Sequence, residues 1–346
     1  MNKRQYDIIN YVNNNPNCKR KEIEDYINKI YDKTSKNTIL RDIEILIKSN
    51  YIIKNGFTKN ITYSSATDND LFTQYNIATY FNINPDNRNL KYPQFNFEIY
   101  DKLNNIFSKD EIKKLEEINK IYNDNIHNLP PKILKKEFER LLIELSWKSS
   151  QIEGNTYSLL DTETLIKNNI EAKGKTKEES IMILNHKTAL EYIFENPNYY
   201  KTITLKKIEE LHELLTKDLG VSKGLRKNPV GIVGTNYKPI FNQHQIKDAM
   251  ELLITLINNT ENSIEKALIT VLMISYIQPF EDGNKRTGRI LANAILFANN
   301  YCPLSYRSID ETEYKKAVIL FYETNSLHYF KELFVEQFKF AVEQYF

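Results

Sequence analysis

The segment from Glu265 to Ile277 constrains the fold most, because it is apolar almost all the way round a helical repeat. A helix of this kind lies at the centre of a domain. The chain then passes directly into Gln-Pro-Phe-Glu-Asp-Gly-Asn-Lys-Arg-Thr-Gly-Arg. Pro279 and Gly283 predict a turn there, and a new helix is expected to begin at about Asn284. We therefore expect a mainly α fold with two central helices joined by a short turn.

The start of the second central helix is a candidate anion site. Its first backbone N–H groups lack partners within the helix and face the positive end of the macrodipole. Arg286 and Arg289 are three residues apart, so both guanidinium groups are expected near one face, where they can bind phosphate oxygens. Asp282 precedes the turn and can hold a Mg²⁺ ion. A turn capped by Asp282, with both arginines in surface ion pairs, is the alternative interpretation.

This loop resembles the signature of the Fic family, His-Pro-Phe-x-Asp/Glu-Gly-Asn-Gly-Arg-x-x-Arg, which joins two central helices. Ten of the twelve positions agree, and the likeness extends from about residue 75 to the C-terminus. Members of the family usually bind ATP with Mg²⁺ and transfer AMP to a hydroxyl of a target protein. The resemblance therefore implies a protein adenylyltransferase that uses ATP and Mg²⁺ and acts on a Ser, Thr or Tyr side chain.

The resemblance also implies individual roles in the loop. Asp282 would be the metal ligand. Asn284 and the amides from Gly283 to Arg286, including that of Lys285, would hold the α-phosphate. Arg286 and Arg289 would bind the outer phosphates.

The loop departs from the family at two positions. Gln278 stands where the family has its catalytic histidine, and an amide is too weak a base to accept a proton near neutral pH. Loss of a positioned base typically costs about 10² to 10⁴ in rate. Lys285 replaces the second loop glycine, as in the kinase-like Doc branch of the family, so the group that is transferred stays open.

Other functions for the loop also stay open. Gln278 could position a water molecule or hydroxyl, as a glutamine does in some GTPases. A base could instead come from His186, His212 or His244, although a lone histidine is more often structural. A third alternative is a catalytically inactive protein that senses nucleotide and regulates DNA binding.

A second motif, Ser149-Ser-Gln-Ile-Glu153-Gly154, is predicted at the end of a helix over 132–152. By itself it is typical of a surface carboxylate beside a helix C-terminus. It also resembles the inhibitory motif of Fic proteins, Ser/Thr-x-x-x-Glu-Gly/Asn. That resemblance implies that Glu153 pairs with Arg289 and blocks the γ-phosphate site.

The segment 225–239 alternates apolar and polar residues around glycines, which predicts a small β-hairpin. In the Fic family this position is the flap, along which a target segment binds as an added strand. The flap residues are expected to be Val230, Gly231, Ile232, Val233 and Gly234. A plain surface hairpin is the alternative.

The first 65 residues predict three helices and then a hairpin around Asn55-Gly56, the pattern of a winged helix. They contain 12 Lys or Arg against 7 Asp or Glu, a net charge of +5 in a chain whose total is +2. Ser35 can cap the third helix, whose early exposed residues suit contacts with phosphates and base edges: Lys36, Asn37, Thr38 and Arg41. We expect DNA binding, with a protein-protein adaptor as the alternative.

These patterns predict a winged-helix domain at 1–65, a loosely packed linker at 66–95 and a Fic domain with its inhibitory helix at 96–346. Ser108 is expected to cap a helix, and further helices are expected at 177–195, 204–218, 243–259, 262–277, 284–300, 310–323 and 329–345. Aromatic residues near the C-terminus, Phe334, Phe338 and Tyr345, could form a homodimer face, although core is the favoured interpretation. Two separate cysteines and the lack of a long apolar run predict a cytoplasmic protein that binds no membrane.

Overall fold

The computed structural model describes residues 2–31, 34–49, 51–56, 60–65 and 70–345. The chain divides into two compact units. The first comprises residues 1–80 and 325–329, and the second comprises residues 81–324 and 330–346. No helix within the described ranges is long and apolar enough to cross a membrane.

The first unit contains three helices and a small antiparallel sheet. The helices are α1 (Lys3–Asn14), α2 (Arg20–Ile30) and α3 (Lys36–Lys48). The strands are β1 (Cys18–Lys19), β2 (Ile52–Asn55) and β3 (Thr62–Ser65), in the order β1-β3-β2. The predicted hairpin is present as the β2–β3 pair, in which Ile52 lies opposite Ser65.

Helix α3 begins where its sequence predicts. The side chain of Ser35 accepts a hydrogen bond from the backbone N–H of Thr38, which would otherwise lack a partner. The apolar face of α3 packs into the core of this unit through Ile39, Ile43 and Leu46. The face that carries the predicted polar and cationic side chains is therefore left to solvent.

The second unit is mainly helical. Helix α4 (Ile77–Asn82) spans the division between the units. The following helices are α5 (Ile99–Lys102), α6 (Lys109–Asn128), α7 (Pro131–Ile152), α8 (Leu159–Asn168), α9 (Lys177–Glu195), α10 (Leu205–Thr216), α11 (Gln243–Asn259), α12 (Ser263–Ile277), α13 (Asn284–Ala298), α14 (Glu311–Thr324) and α15 (His328–Gln344). The predicted helices are present within a few residues, and Ser108 caps α6 in a capping box. Helices α4, α5 and α8 were not among the predictions.

Helices α12 and α13 form the centre of the second unit, as the apolar pattern predicts. Every residue of α12 except Lys266 is buried. The two helices approach closely at Gly288, where a Cβ atom would lie 3.2 Å from the carbonyl oxygen of Val271. A side chain at position 288 would require α12 or α13 to shift by a few tenths of an ångström, so this glycine suits the close approach of the two helices.

The prediction of loose packing for 66–95 is wrong at Arg88. This side chain is buried, and it pairs with the carboxylate of Glu323 at 3.2 Å. A buried charge is stable only when it is paired, so this part of the stretch is anchored to α14. Residues 66–69 lie outside the described residues.

The aromatic residues of α15 and the chain end belong to the protein core. Phe334, Phe338 and Tyr345 are each at most 2% exposed. The phenol of Tyr345 also contacts the carboxylate of Glu144 on α7. These contacts tie the C-terminal helix to the helix that carries the Ser149–Gly154 motif.

Candidate functional site

A tight loop joins α12 to α13, and two residues in left-handed conformations define it. Gln278 ends α12 with φ 52°, and Gly283 precedes α13 with φ 78°. A Cβ atom at Gly283 would lie 2.9 Å from Cγ2 of Thr216, so only glycine fits without a shift of its neighbours. The first backbone amides of α13 therefore directly follow a turn that needs glycine at position 283.

Asn284 holds the loop in shape through its side-chain amide. Its Oδ1 accepts from the backbone N–H of Phe280 at 2.8 Å, and its Nδ2 donates to the Phe280 carbonyl at 2.9 Å. The same Nδ2 donates to Oε1 of Gln278 at 3.0 Å. Nε2 of Gln278 donates to the carbonyl of Ser275 at 2.7 Å. The Gln278 amide is thus engaged at both ends, and it offers no basic atom.

His212 supports the loop from α10. Its ring stacks on Phe280, with centroids 3.8 Å apart, and its Nε2 lies 2.9 Å from the carbonyl of Asp282. Because a carbonyl only accepts hydrogen bonds, Nε2 must carry the proton. Burial lowers the pKa of His212, which favours the neutral ring. This histidine holds the loop backbone and does not face the cavity described below.

The two arginines of α13 have different partners. Nη2 of Arg286 lies 2.6 Å from Oδ2 of Asp282, whose side chain is largely exposed. Arg289 is completely buried and turns towards the end of α7. The two guanidinium groups thus pair with different carboxylates in this structure, and the expectation that both can bind phosphate oxygens from one face stays a prediction.

The Ser149–Gly154 motif lies against Arg289. Nη2 of Arg289 is 2.8 Å from Oε1 of Glu153, and its Nε donates to Oγ of Ser149 at 3.0 Å. Nζ of Lys285 lies 4.0 Å from the other carboxylate oxygen of Glu153. Burial alone would raise the pKa of Glu153, but Arg289 and Lys285 outweigh it, and the pKa is lowered. Glu153 is therefore ionised, and the ion pair that the motif implies is present.

A chain of hydrogen bonds behind this ion pair fixes its geometry. Nδ1 of His186 lies 2.8 Å from the Met182 carbonyl, so Nδ1 carries the proton and Nε2 is an acceptor. The hydroxyl of Ser149 donates to that Nε2 at 2.9 Å and accepts from Arg289. Burial lowers the pKa of His186 to about 3. His186 is therefore neutral and structural, and it is not a free base for the loop.

These elements enclose a cavity of about 380 Å³. The predicted residues that line it are Glu153, Val230, Gly231, Ile232, Val233, Gln278, Asp282, Gly283, Asn284 and Lys285. The other predicted site residues of this unit are not among the lining residues: Ser149, Gly154, Gly234, Arg286 and Arg289. The opposite wall comes from α14, through Tyr314, Lys315, Val318, Ile319 and Tyr322. Sequence reasoning missed the α14 wall, because its apolar residues follow the same helical spacing as core residues.

The prediction of a β-hairpin at 225–239 is wrong. The structure gives these residues no strand, and their one bridge pairs Lys238 with Gln94. The hydrogen bonds go to other segments instead: Arg226 N–H donates to the Pro279 carbonyl at 3.0 Å, and Lys238 N–H donates to the Pro93 carbonyl at 2.9 Å. Val233 is 96% exposed, so one edge of the segment is open.

The cavity offers a single suitable carboxylate for a metal. Among the described residues, no group of three or more His, Cys, Asp or Glu side chains is arranged to hold an ion. Mg²⁺ commonly uses one or two carboxylates and takes its other ligands from water and nucleotide phosphates. Asp282, at the cavity wall and beside the start of α13, fits such a site.

The predicted DNA-contacting residues lie together at the start of α3. Lys36, Asn37 and Arg41 are exposed. Thr38 is half-buried because its Oγ1 lies 2.8 Å from the hydroxyl of the capping Ser35. The first two turns of α3 thus present two cations and one amide to solvent.

Comparison with known proteins relates part of the second unit to a known protein family. A model described as the Fic/DOC family matches residues 202–296, which include the loop and both central helices. This stretch is a Fic/DOC family domain. The chain is 29% identical over 180 residues to the protein adenylyltransferase Fic of Aedes aegypti, covering 49% of this chain and 35% of that one. It is 26% identical over 203 residues to the protein of the same name from Nematostella vectensis, covering 58% and 47%.

This chain therefore spans less than half the length of these two curated relatives. Among solved structures, Fic-1 from C. elegans is similar with a TM-score of 0.57 and 18% identity, over 68% of this chain and 69% of that one. At this identity the likeness establishes the fold. The Fic-type helical core predicted from the loop motif is thus confirmed.

The buried neutral state of His186 predicts a pH dependence of stability. The unfolded chain protonates this residue near pH 6.5, whereas the folded chain does so near pH 3. The unfolded state binds one more proton in this window, so the free energy of unfolding falls as the pH drops from 6.5, by up to about 1.4 kcal/mol per unit. His186→Asn should flatten the profile by that slope.

The measurement is urea unfolding followed by the fluorescence of Trp147, the only tryptophan, which lies in the second unit. Carboxylates and His212 contribute equally to both proteins, so the difference isolates His186. Parallel profiles would contradict the assignment. So would a His186 ring that titrates above pH 5 in NMR spectra of the unmodified protein.

Proposed function

We propose that the second unit is a Fic-type protein adenylyltransferase that moves AMP from ATP to a Ser, Thr or Tyr hydroxyl of a target protein and is held inactive by Glu153. One observation carries this proposal. A carboxylate of the chain itself lies 2.8 Å from the buried Arg289 and contacts Lys285, at the start of α13. The site therefore already holds an anion in the place where the resemblance to the Fic loop puts phosphate oxygens.

The residues of the loop suit this reaction. The free amides at the start of α13 and the cations Lys285, Arg286 and Arg289 would neutralise a triphosphate. Mg²⁺, held by Asp282, would neutralise further phosphate charge and orient the leaving group. The hydroxyl oxygen of the target bonds to the α-phosphorus and gives its proton to solvent water, the bond to the bridging oxygen breaks, and pyrophosphate leaves. The open edge at Val230–Gly234 would hold the target segment through main-chain hydrogen bonds.

Gln278 limits the rate of this reaction. No atom of its amide accepts a proton near neutral pH, and both ends of the amide are already hydrogen-bonded. The same observation favours a second function, in which the unit binds nucleotide without transfer and acts as a sensor. Incubation with α-³²P-ATP and Mg²⁺ separates the two functions, since only transfer leaves label covalently bound to protein.

We further propose that the first unit is a winged helix that binds DNA. Its three helices and hairpin, the exposed Lys36, Asn37 and Arg41, and the excess of positive charge in residues 1–65 support this. Short polar and cationic residues in the first turn of a helix are the types that reach phosphates and base edges in a major groove. A nucleotide-binding unit in the same chain would suit a regulator.

Glu153→Gly is expected to strengthen Mg·ATP binding by at least about tenfold, because Arg289 then has no competing carboxylate. Isothermal titration measures the dissociation constant. Glu281→Gln is the matched control, since Glu281 also lines the cavity but contacts Ser222 and not Arg289. If the two variants bind ATP equally, or if Glu153→Gly binds none, the proposed nucleotide site is wrong.

Gln278→His, combined with Glu153→Gly, is expected to increase the covalent label from α-³²P-ATP by about 10² to 10⁴, because an imidazole can accept the hydroxyl proton. Gln278→Asn in the same background is the control, since it supplies an amide and no base. A decrease in label with histidine would show that glutamine has its own role in transfer. Label from γ-³²P-ATP instead would show that a phosphoryl group is moved.

Arg41→Ala is expected to weaken binding of the full chain to duplex DNA and to reduce the salt dependence by about one phosphate contact. Fluorescence anisotropy at several salt concentrations measures both. Lys29→Ala, at an exposed residue at the end of α2, is the control. Equal losses for the two variants, or no binding by the unmodified chain, would refute a DNA-binding role for α3.

A further inference from the structure

The carboxylate of Glu153 is shared between two cations of α13. Its Oε1 lies 2.8 Å from Nη2 of Arg289, and its Oε2 lies 4.0 Å from Nζ of Lys285. The two oxygens thus face different partners. Arg289 is fully buried, whereas the side chain of Lys285 is 25% exposed. The carboxylate thus pairs with a fully buried guanidinium on one side and, on the cavity side, with a partly exposed ammonium.

Lys285 is the part of this arrangement that the family pattern lacks, because the signature has glycine at its position. The residue occupies the first turn of α13, and its side chain lines the cavity. Within the described ranges, Glu153 is the only carboxylate that lies within 4.0 Å of its ammonium group. The contact therefore depends on a residue that the Fic signature, with glycine at this position, does not have.

We propose that Lys285 exchanges partners: it holds the Glu153 carboxylate while the site is closed, and it binds the polyphosphate of ATP once Glu153 leaves. This inference rests on the proposed nucleotide site and extends it to its regulation. The Lys285 side chain can reach either the Glu153 carboxylate or the polyphosphate without movement of its backbone, because both anions would lie at the start of α13.

The exchange makes a prediction about apparent affinity. When the site must open before ATP binds, the measured affinity is the intrinsic affinity multiplied by the open fraction. Loss of Lys285 lowers the intrinsic affinity, because a charge-assisted contact to phosphate is lost. With Glu153 present, the same loss raises the open fraction, because the closed state loses one of its two cations. The two effects oppose each other only when Glu153 is present.

The test is a double-mutant cycle on the full chain, read as the dissociation constant of Mg·ATP by isothermal titration up to millimolar nucleotide. In the Glu153→Gly background, Lys285→Ala is expected to weaken binding by about tenfold. With Glu153 present, the same substitution should change binding by about threefold or less, in either direction. Lys285→Arg keeps the charge and should restore values near those of lysine in both backgrounds.

Lys315→Ala is the matched control, because Lys315 is an exposed lysine of α14 that lines the same cavity and has no contact with Glu153. Its effect should be the same factor in both backgrounds. If Lys285→Ala also gives equal factors, Lys285 does not hold Glu153 and the exchange is wrong. If it has no effect in the Glu153→Gly background, Lys285 does not bind phosphate and the exchange is again wrong.

Failure of the nucleotide site itself has a different signature. In that case Glu153→Gly with Lys285 intact binds no Mg·ATP, and the exchange falls together with the proposed function. Trp147 fluorescence confirms that each variant is folded before titration. If Glu153→Gly binds Mg·ATP but Lys285→Ala changes the dissociation constant by the same factor in both backgrounds, the exchange is wrong while the proposed nucleotide site stands.

Discussion

The buried guanidinium of Arg289 is the constraint on which the site depends. A fully buried cation is stable only beside an anion and with its N–H groups hydrogen-bonded. In this structure Glu153 provides the charge, and the hydroxyl and carbonyl of Ser149 accept two further hydrogen bonds. The end of α7 is therefore bound to α13 by electrostatics as much as by packing. Any ligand that displaces Glu153 must bring its own negative charge, which favours a phosphate group over a neutral molecule.

The positions of α12 and α13 determine where that cation lies. Gly288 lets the two helices approach, and Gly283 lets the loop turn against α10. His212 and Asn284 then hold the loop backbone through its carbonyl and amide groups. Two of these supports, Gly288 and His212, do not line the cavity, whereas Gly283 and Asn284 do. The geometry of the site is fixed by the packing of the second unit, and the open edge at Val230–Gly234 is the less constrained side.

The sequence predicts most of the helical framework, because local signals are strong there. Ser35 and Ser108 cap the helices that they precede, and the all-apolar α12 is central. The pairing of Glu153 with Arg289 could also be predicted, since two separate motifs carried opposite charges. The structure of the 225–239 segment could not be predicted in this way. Its alternation resembles a hairpin, but its hydrogen bonds go to Pro279 and Pro93, which are distant in sequence. Strand β1 has only two residues, too few for a periodic signal.

Gln278 shows why binding and transfer can be separated in this fold. The backbone at this position is left-handed, and the side chain spans from Ser275 to Asn284. An amide satisfies both contacts, since one end donates and the other accepts. The loop therefore keeps its shape without an imidazole, and the anion site beyond it needs only the amides and cations of α13. The amides and cations proposed to bind phosphate belong to α13 and not to residue 278, so we expect a change at 278 that keeps the contact with Asn284 to affect the proposed transfer more than the proposed binding.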